Sequence, residues 1–351
     1  MPLWYKSPSI EHLSVRKNVG LFDVSHMGRI LVKGEEAVNL LAFLLTNDCR
    51  TLRPLKNQVS LICNDEGGII DDIMVLRLKR KEFLLIVNAI NKDKDLNWLS
   101  RFTENMEVTI NDITEKVSML AVQGPKARRL MEKVFNIDVE SLKRLNSLWA
   151  QFDGKKVLIS RTGYTGEDGF ELYLFENFEE REALELWNVI LHEGKKFGIE
   201  ACGLAARDTL RIEAGFCLYG NELDEKTSPV EAGLNFAIKL DNHNFIGKDI
   251  ILKQLKEGPK KVRVGFRLLQ RGVPRKGMKI FSDKMEIGQV TSGTFSPLLR
   301  VGIGMGYVAP EYSERRCKIQ IDIRGRKVEA EIVNFPFYAG LQEDSVCNGV
   351  G

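Results

Sequence analysis

Two adjacent carboxylates, Asp71 and Asp72, stand inside EGGIIDDIMVLRL, residues 66–78, a segment that otherwise reads as a buried strand. Side chains alternate along a strand, so Asp72 shares a face with Met74, Leu76 and Leu78, and Asp71 with Ile73, Val75, Arg77 and Lys79. Asp72 is therefore expected on the more apolar side, as a single buried acid. An ionised carboxylate without partners costs several kcal/mol to bury, so it must gain hydrogen bonds, take up a proton or serve a cleft. The plainer reading is that both acids cap the Gly67-Gly68 turn.

A second cluster is SRTGYTGEDGFELYL, residues 160–174, where Gly163 and Gly166 bracket Tyr164 and the run enters a strand carrying Glu171. Glycine lets a ligand approach the backbone closely. No G-K-[ST] follows and the run leads into a strand, so this is not a phosphate loop. Glu171, on the face of Tyr173, suits a flat ligand edge with two adjacent N–H donors, which its two oxygens accept in parallel. Its plainer role is an ion pair with Arg161.

The third is GLAARDTLRIEAGFCLYG, residues 203–220, a helix running into a loop, with Arg207 and Arg211 one turn apart and Asp208 between them. A solvated charge ladder, with one arginine pairing Asp208, is the ordinary reading of such spacing. Leu204, Ala205, Ala206, Leu210 and Ile212 nevertheless argue for burial on more than one side, and Arg207 then needs a fixed partner, protein or ligand. His26 and Met27 in FDVSHMG, and Asn88 closing FLLIVN, are weaker signals: a lone histidine is usually structural and a methionine usually core. No Ser-His-Asp set is present in a defensible context. The residues alone specify a cleft with an acid, a ligand-orienting acid and an arginine, without naming a reaction.

The elements that must carry these groups read as mixed α and β up to about residue 245. GRILVKG, QVSLICN, IIDDIMVLRL, EFLLIVNA, KVLISRTGYT and FELYLF are strands. EEAVNLLAFLLTND, NKDKDLNWLSRF, GPKARRLMEKVF (entered through Pro125 in its first turn) and the amphipathic run of residues 177–198 are helices. From about residue 246 short glycine-punctuated strands take over, the pattern of a separate all-β barrel or sandwich, followed by a loose tail, LQEDSVCNGVG. The chain is thus read as 1–245 and 246–351.

With 351 residues, 51 basic and 48 acidic side chains, the chain has none of the basic excess of a nucleic-acid binder. The six cysteines form no C-x-x-C pair and lie apart from the four histidines, so no metal site is expected, and thiols among apolar neighbours suit a reducing compartment. No apolar run is long enough to span a bilayer and no signal peptide is evident; the reading is a soluble, cytoplasmic protein without membrane contact.

At these residues the chain resembles a known family. GLFDVSHMG, GGIIDDIMV, VNAINKDKD, VQGPKA, SRTGYTGEDGFEL, GLAARDTLRIEAG and TSGTFSP occur in the order seen in the glycine cleavage system T proteins, the aminomethyltransferases. The resemblance runs from about residue 3 to about 338. It implies an α+β multidomain fold, with interleaved α/β folate-binding domains including a ferredoxin-like part, closed by a C-terminal all-β barrel. It also implies transfer of a one-carbon unit from the aminomethyl-lipoyl arm of the H protein to tetrahydrofolate, with release of ammonia and formation of 5,10-methylenetetrahydrofolate, and no metal.

By motif position, Asp72 matches the family's catalytic aspartate, which assists proton removal from the attacking nitrogen and stabilises a cationic iminium-like transition state. Glu171 matches the carboxylate that pairs with the pterin edge, Tyr164 and Asn88 match cleft residues around it, Met27 lies on the folate-proximal loop, and Arg207 matches the arginine that fixes the cofactor. The sequence departs from the family in lacking the usual aromatic segment ahead of MPLWY, in Val59 and Phe216 where other members carry tyrosine, and in leaving open whether Phe337 or Tyr338 faces the ligand. Relatives on the same fold act as folate-dependent demethylases on another one-carbon donor. A folate-binding scaffold group carries a K-G-C motif, where HNFIGKD here has no cysteine.

Overall fold

The computed structural model describes residues 1–175 and 178–338. The tail predicted to be loose, Cys347 and the first residue of the run at 177–198 lie outside the described residues.

Strands and helices are numbered in chain order. An antiparallel five-stranded sheet runs β3 (Asn57–Cys63), β4 (Ile69–Lys79), β5 (Glu82–Val87), β2 (Gly28–Gly34), β6 (Val108–Asp112). One face, with Ile30, Val32, Ile73, Val75, Phe83 and Leu85, packs under α2 (Ala37–Leu44) and α3 (Lys92–Ser100). A six-stranded sheet runs β11 (Ile199–Ala201), β1 (Val19–Asp23), β7 (Ser118–Gln123), β10 (Gly169–Leu174), β9 (Lys155–Ser160), β8 (Ser147–Phe152), parallel only where β1 meets β11. Its outer face lies under α4 (Ala127–Phe135) and α5 (Glu180–Gly194).

The inner faces of the two sheets meet. Leu31, Leu76, Leu78, Leu84 and Ile86 of the first pack with Phe22, Met119, Ala121, Leu158 and Tyr173 of the second, and Val15 of α1 (Pro8–Lys17) and Ala206 and Leu210 of α6 (Leu204–Ala214) complete that cluster. Each sheet thus buries one face on helices and the other on its neighbour, which is why β4, β5 and β7 read as nearly continuous apolar runs. The exposed edge of β3 is covered by α7 (Pro229–Ala232) and α8 (Lys248–Glu257): Val230 and Ile251 join Leu61, Cys63 and Ile69 in one cluster.

The C-terminal strands close into a six-stranded antiparallel barrel, β12 (Val262–Leu268), β15 (Val301–Val308), β14 (Met285–Ser296), β13 (Lys279–Ser282), β16 (Lys318–Ile323), β17 (Arg326–Val333), with β17 returning to β12. Closure removes the free edges that six short strands would otherwise expose. The expected mixed α and β region and all-β barrel are both present. Pro125 stands ahead of α4, which begins at Ala127, not in its first turn. Ahead of the first strand the chain forms a helix, α1, capped by the Ser7 side chain with Pro8 at its first position.

The barrel is held to the rest through α6. Ile212 packs with Ile303 and Met305. Arg211, 1% exposed, donates to Glu222 (2.8 Å), Asp208 (2.8 Å) and Ser292 Oγ of β14 (2.7 Å). Glu213, fully buried, accepts from Arg16 Nε (2.8 Å) and from Ser296 of β14, and lies 3.0 Å from His12 Nε2. Removing one partner of a buried pair leaves the other charge uncompensated. Glu213→Ala is therefore expected to lower the stability of the folded chain by about 3–5 kcal/mol in a denaturant titration.

Candidate functional site

Asp71 and Asp72 occupy opposite faces of β4, and both faces are buried. Asp71 looks with Ile73 and Val75 toward α3, whereas Asp72 looks with Leu76 and Leu78 into the space between the sheets. The sequence expectation is reversed on one point: Asp71 is the fully buried acid, at 0% exposure, and Asp72 is half-buried. Neither caps the Gly-Gly turn, which is closed by Asn64 through its side-chain oxygen to the Gly68 N–H (2.8 Å).

Asp71 resolves its burial by hydrogen bonding. It accepts from the Asn88 backbone N–H (3.0 Å), the Asn88 side-chain amide (2.8 Å) and the Asn91 amide (2.5 Å). The Asn88 amide nitrogen bridges both acids, reaching Asp72 Oδ1 at 2.9 Å and the Asp72 carbonyl at 3.1 Å. Three acceptors around one nitrogen fix the amide's orientation. Burial, and then the charge of Asp71, push the Asp72 carboxyl well above the usual carboxylate range, opposed by the Asn88 hydrogen bond. Asp72 is thus a carboxyl whose position is fixed and whose proton affinity is raised.

Across the inter-sheet space, Tyr164 is held by three contacts. Its hydroxyl donates to the Cys217 carbonyl, its ring stacks on Phe216 at 5.7 Å between centroids, and the Arg207 guanidinium lies 4.8 Å from its ring centre. The charges of Asp72 and Arg207 both act on its phenol, so these groups share one locality. Among the described residues the Arg207 guanidinium has no hydrogen bond or ion pair; Arg211, not Arg207, takes Asp208. Burial pulls the Arg207 pKa down, and the nearby Tyr164 and Glu171 act against it.

Glu171, 9% exposed on β10, does not pair with Arg161, which instead grips Asp168 with two hydrogen bonds (2.8 and 2.7 Å). Its acceptor needs are only partly met, by the Thr162 hydroxyl and, at 3.4 Å, by Tyr173. Burial raises its pKa, while Thr162 and Arg207 lower it. The glycines of this loop serve the protein's own packing: a Cβ on Gly163 would lie 1.9 Å from Gln123 Oε1, and Gly166, at φ +82°, faces the Tyr338 hydroxyl.

Met27 packs, half-buried, against the inter-sheet cluster on a loop whose carbonyls, with that of Thr114, are tied by the buried Arg29 guanidinium. His26, on the same loop, is exposed. Tyr338 is committed to Arg16, whose guanidinium lies 4.0 Å from its ring centre, and Phe337 packs toward the barrel beside Phe335. Val59 belongs to the cluster that covers the edge of β3.

The structure thus brings Asp72 and Asn88 together on one wall and Tyr164, Glu171 and Arg207 on the other. Sequence reasoning missed Asn91, Asp95, Arg29 and Gln123. A signal for the first two was available: Asn91, Asp95 and Leu99 recur every four residues and are 3%, 0% and 0% exposed, a buried helix face carrying two polar groups.

The half-filled Glu171 carboxylate, near the Arg207 that stacks on Tyr164, fits a planar ligand with adjacent N–H donors, and the Arg207 guanidinium fits an anionic part of the same ligand. Among the described residues no group of three His, Cys, Asp or Glu side chains is placed to hold a metal ion, and no helix is long and apolar enough to cross a membrane.

Comparison with known proteins agrees with this architecture. Residues 1–242 match the family model for the GCVT N-terminal domain, and residues 261–339 match the glycine cleavage T-protein C-terminal barrel domain. The chain is 44% identical over 342 residues to the aminomethyltransferase of Thermoanaerobacter pseudethanolicus, covering 96% of this chain and 91% of that one. It is 41% identical to the probable aminomethyltransferase of Pyrococcus horikoshii, with the same coverage. The crystal structure of glycine cleavage system aminomethyltransferase T from Bartonella henselae superposes with a TM-score of 0.89 at 34% identity, over 97% of this chain and 92% of that one. A two-sheet core with its polar groups on the facing walls, a closed barrel fastened to α6, and family matches over both parts place the chain in the glycine cleavage T-protein, or aminomethyltransferase, family.

Proposed function

We propose that the chain transfers the one-carbon unit of the aminomethyl-lipoyl H protein to tetrahydrofolate, releasing ammonia and forming 5,10-methylenetetrahydrofolate. The observation that carries this reading is the pairing of opposite walls. A proton-accepting carboxyl, Asp72, is fixed by Asn88 on one side, and a partly satisfied carboxylate, Glu171, lies beside stacked aromatics and a free arginine on the other.

In this reading the folate supplies the nucleophilic nitrogens that take the one-carbon unit. Glu171 accepts the adjacent N–H donors of the pterin edge, Tyr164 and Phe216 offer apolar ring surface, Met27 borders the same space, and Arg207 holds an anionic part of the folate. Orientation between two rigid sheets is worth several kcal/mol of the barrier on its own, through roughly the effects seen in intramolecular reactions. Asp72 then does two things from a fixed position. It takes a proton from the attacking nitrogen, for which its raised proton affinity suits it, and its charge favours positive charge developing as the amine departs. Neither effect survives in bulk water, where the same charge is screened.

Ammonia release from aminomethyl-loaded H protein, with and without tetrahydrofolate, tests the assignment directly. Folate-stimulated release with methylenetetrahydrofolate as product is expected; turnover of a free methylated donor instead would make the chain a demethylase.

Two substitutions test the walls separately. Asp72→Asn keeps the Asn88 contact and is expected to fold and bind folate while turnover drops at least about tenfold, the size of a lost general base. In the parent chain the rate falls on the acid side with a midpoint above that of an ordinary aspartate, because the raised carboxyl must first be deprotonated; Asp72→Asn removes that limb. Glu171→Gln is expected to weaken folate binding by about 1–3 kcal/mol in a titration, the cost of replacing a charge-assisted acceptor; unchanged affinity would assign Glu171 to the fold alone.

A further inference from the structure

Behind the Asp71–Asn88–Asp72 group lies a third acid that the proposed reaction does not use. Asp95, in the first turn of α3, is 0% exposed, and no N–H or hydroxyl donor among the described residues reaches either of its side-chain oxygens. The carboxyl of Asp71 lies against it, close enough for each acid to act on the other. Two carboxyls hydrogen-bond to each other only when one holds a proton.

Which acid holds it follows from the donors. Asp71 receives three N–H bonds, from the Asn88 backbone, the Asn88 amide and the Asn91 amide; Asp95 receives none. An ionised Asp95 would be a buried, unpaired charge, whereas a protonated Asp95 gives Asp71 a fourth donor and fills its four lone-pair sites.

We propose that Asp95 is a positioning residue of the transfer site: a buried, proton-bearing carboxyl that donates to Asp71 and so holds the Asn88 amide in place on Asp72. The inference rests on the transferase reading for its consequence, since Asp72 is the group being held, but not for its chemistry. The path is continuous. A proton on Asp95 is given to Asp71, Asp71 accepts from the Asn88 backbone N–H and side-chain amide, and that amide nitrogen reaches Asp72 Oδ1 at 2.9 Å.

The charged groups around Asp95 act on it in both directions, and the acids outweigh the lysine. Asp71 faces it from β4, Asp72 lies beyond on the other side of the strand, and both favour its neutral form. Lys94, its neighbour on α3, opposes them, more than Asp72 favours and less than Asp71 does; its ammonium is held at 2.7 Å by the Tyr219 hydroxyl and at 3.1 Å by Glu225. From the loop after α6, Tyr219 and Glu222 act on Asp71 and Asp72 respectively. Burial first, then Asp71, carry the Asp95 carboxyl up to about 10.

A consequence follows that needs no substrate. In the unfolded chain an aspartate releases its proton near pH 4, roughly its free value. The folded protein keeps that proton, so unfolding releases it and stability falls as pH rises between the two values. Asp95→Asn donates to Asp71 equally well but carries no proton to release. Urea titrations of the full chain and of Asp95→Asn, run from pH 5 to 9, are expected to show the unfolding constant of the parent rising relative to the variant, by up to about tenfold per pH unit. A ratio independent of pH would mean that Asp95 is ionised in the fold and would overturn the proposal.

Turnover supplies the second arm. Asp95→Leu removes the donor at similar volume and is expected to lose at least about tenfold in kcat with folate affinity little changed, and Asp95→Asn to restore most of that loss. Equal loss in both variants, or in neither, would falsify the positioning role. Because the stability arm reads the proton and the ammonia assay reads the reaction, failure of either is recognised without the other.

Discussion

The constraint on which this molecule turns is that charge buried between packed layers must be answered by a partner. α6 is where it is applied most heavily. That helix carries Arg207, Arg211 and Glu213 into the junction of the two sheets and the barrel, and two of the three are fully compensated. Arg211 is taken up by Glu222, Asp208 and Ser292, and Glu213 by Arg16, with His12 and Ser296 against it. Each compensation ties a different part of the chain to α6: the loop after it, the barrel strand β14 and helix α1. Arg207 is the charge left over, stacked on Tyr164 and facing Glu171. Satisfying the first two arrays sets the helix rigidly, so the third group is aimed before any ligand arrives. An arginine aimed in advance loses less freedom on binding than one that must be ordered.

The same constraint explains why neighbouring residues of β4 have different fates. Asp71 turns toward α3 and is answered inside the protein by three N–H donors and Asp95. Asp72 turns into the inter-sheet space and is answered by one amide. The difference in donor number separates their chemistry: burial raises the proton affinity of both, the hydrogen bonds to Asp71 oppose that rise, and at Asp72 the charge of Asp71 adds to it. Asn88 enforces the split because one amide nitrogen serves both. It lies at the end of β5, the strand paired with β4, so its reach is set by the sheet and not by a loop.

Much of this was legible in the sequence. The alternation of β4 places Asp71 and Asp72 on opposite faces, the apolar residues of α6 announce a helix buried on more than one side, and the glycine-punctuated strands of the C-terminal part announce a barrel or sandwich. What was not legible has physical causes. Both faces of β4 are buried, so the apolar count on each face does not distinguish a helix-backed side from a ligand-facing one, and the more deeply buried aspartate was misassigned. Glu171 and Arg161 are the natural pair by spacing, yet Arg161 closes on Asp168, seven residues along the same loop. The glycines around Tyr164 look like a ligand-approach motif, but Gly163 makes room for the Gln123 amide from β7, a contact between residues forty apart. The burial of α1 and β1 depends on α6 and β11, elements near residue 200, and no local pattern records that.

One local irregularity decides which side chain lies beside the buried acid. β3 pairs Ile62 with Asp71 and then Cys63 with Ile69, so Ile70 is an extra residue in β4 with no partner of its own. A strand without this bulge would alternate strictly, placing Ile70 with Asp72 and Met74. Instead Ile70 packs with Ile73 and Val75 beneath the helices, on the side of Asp71, while Ile69 joins the cluster under α8. The bulge lets two consecutive residues, Ile70 and Asp71, share the helix-backed side. An apolar seal thereby sits next to the buried acid, and the following residue still projects into the inter-sheet space. Bulges re-aim side chains where a strand ends or a site begins, at the expense of one unpaired residue. Here that residue is not wasted, since its side chain closes the helix side of the sheet at the point where a buried carboxyl would otherwise admit water.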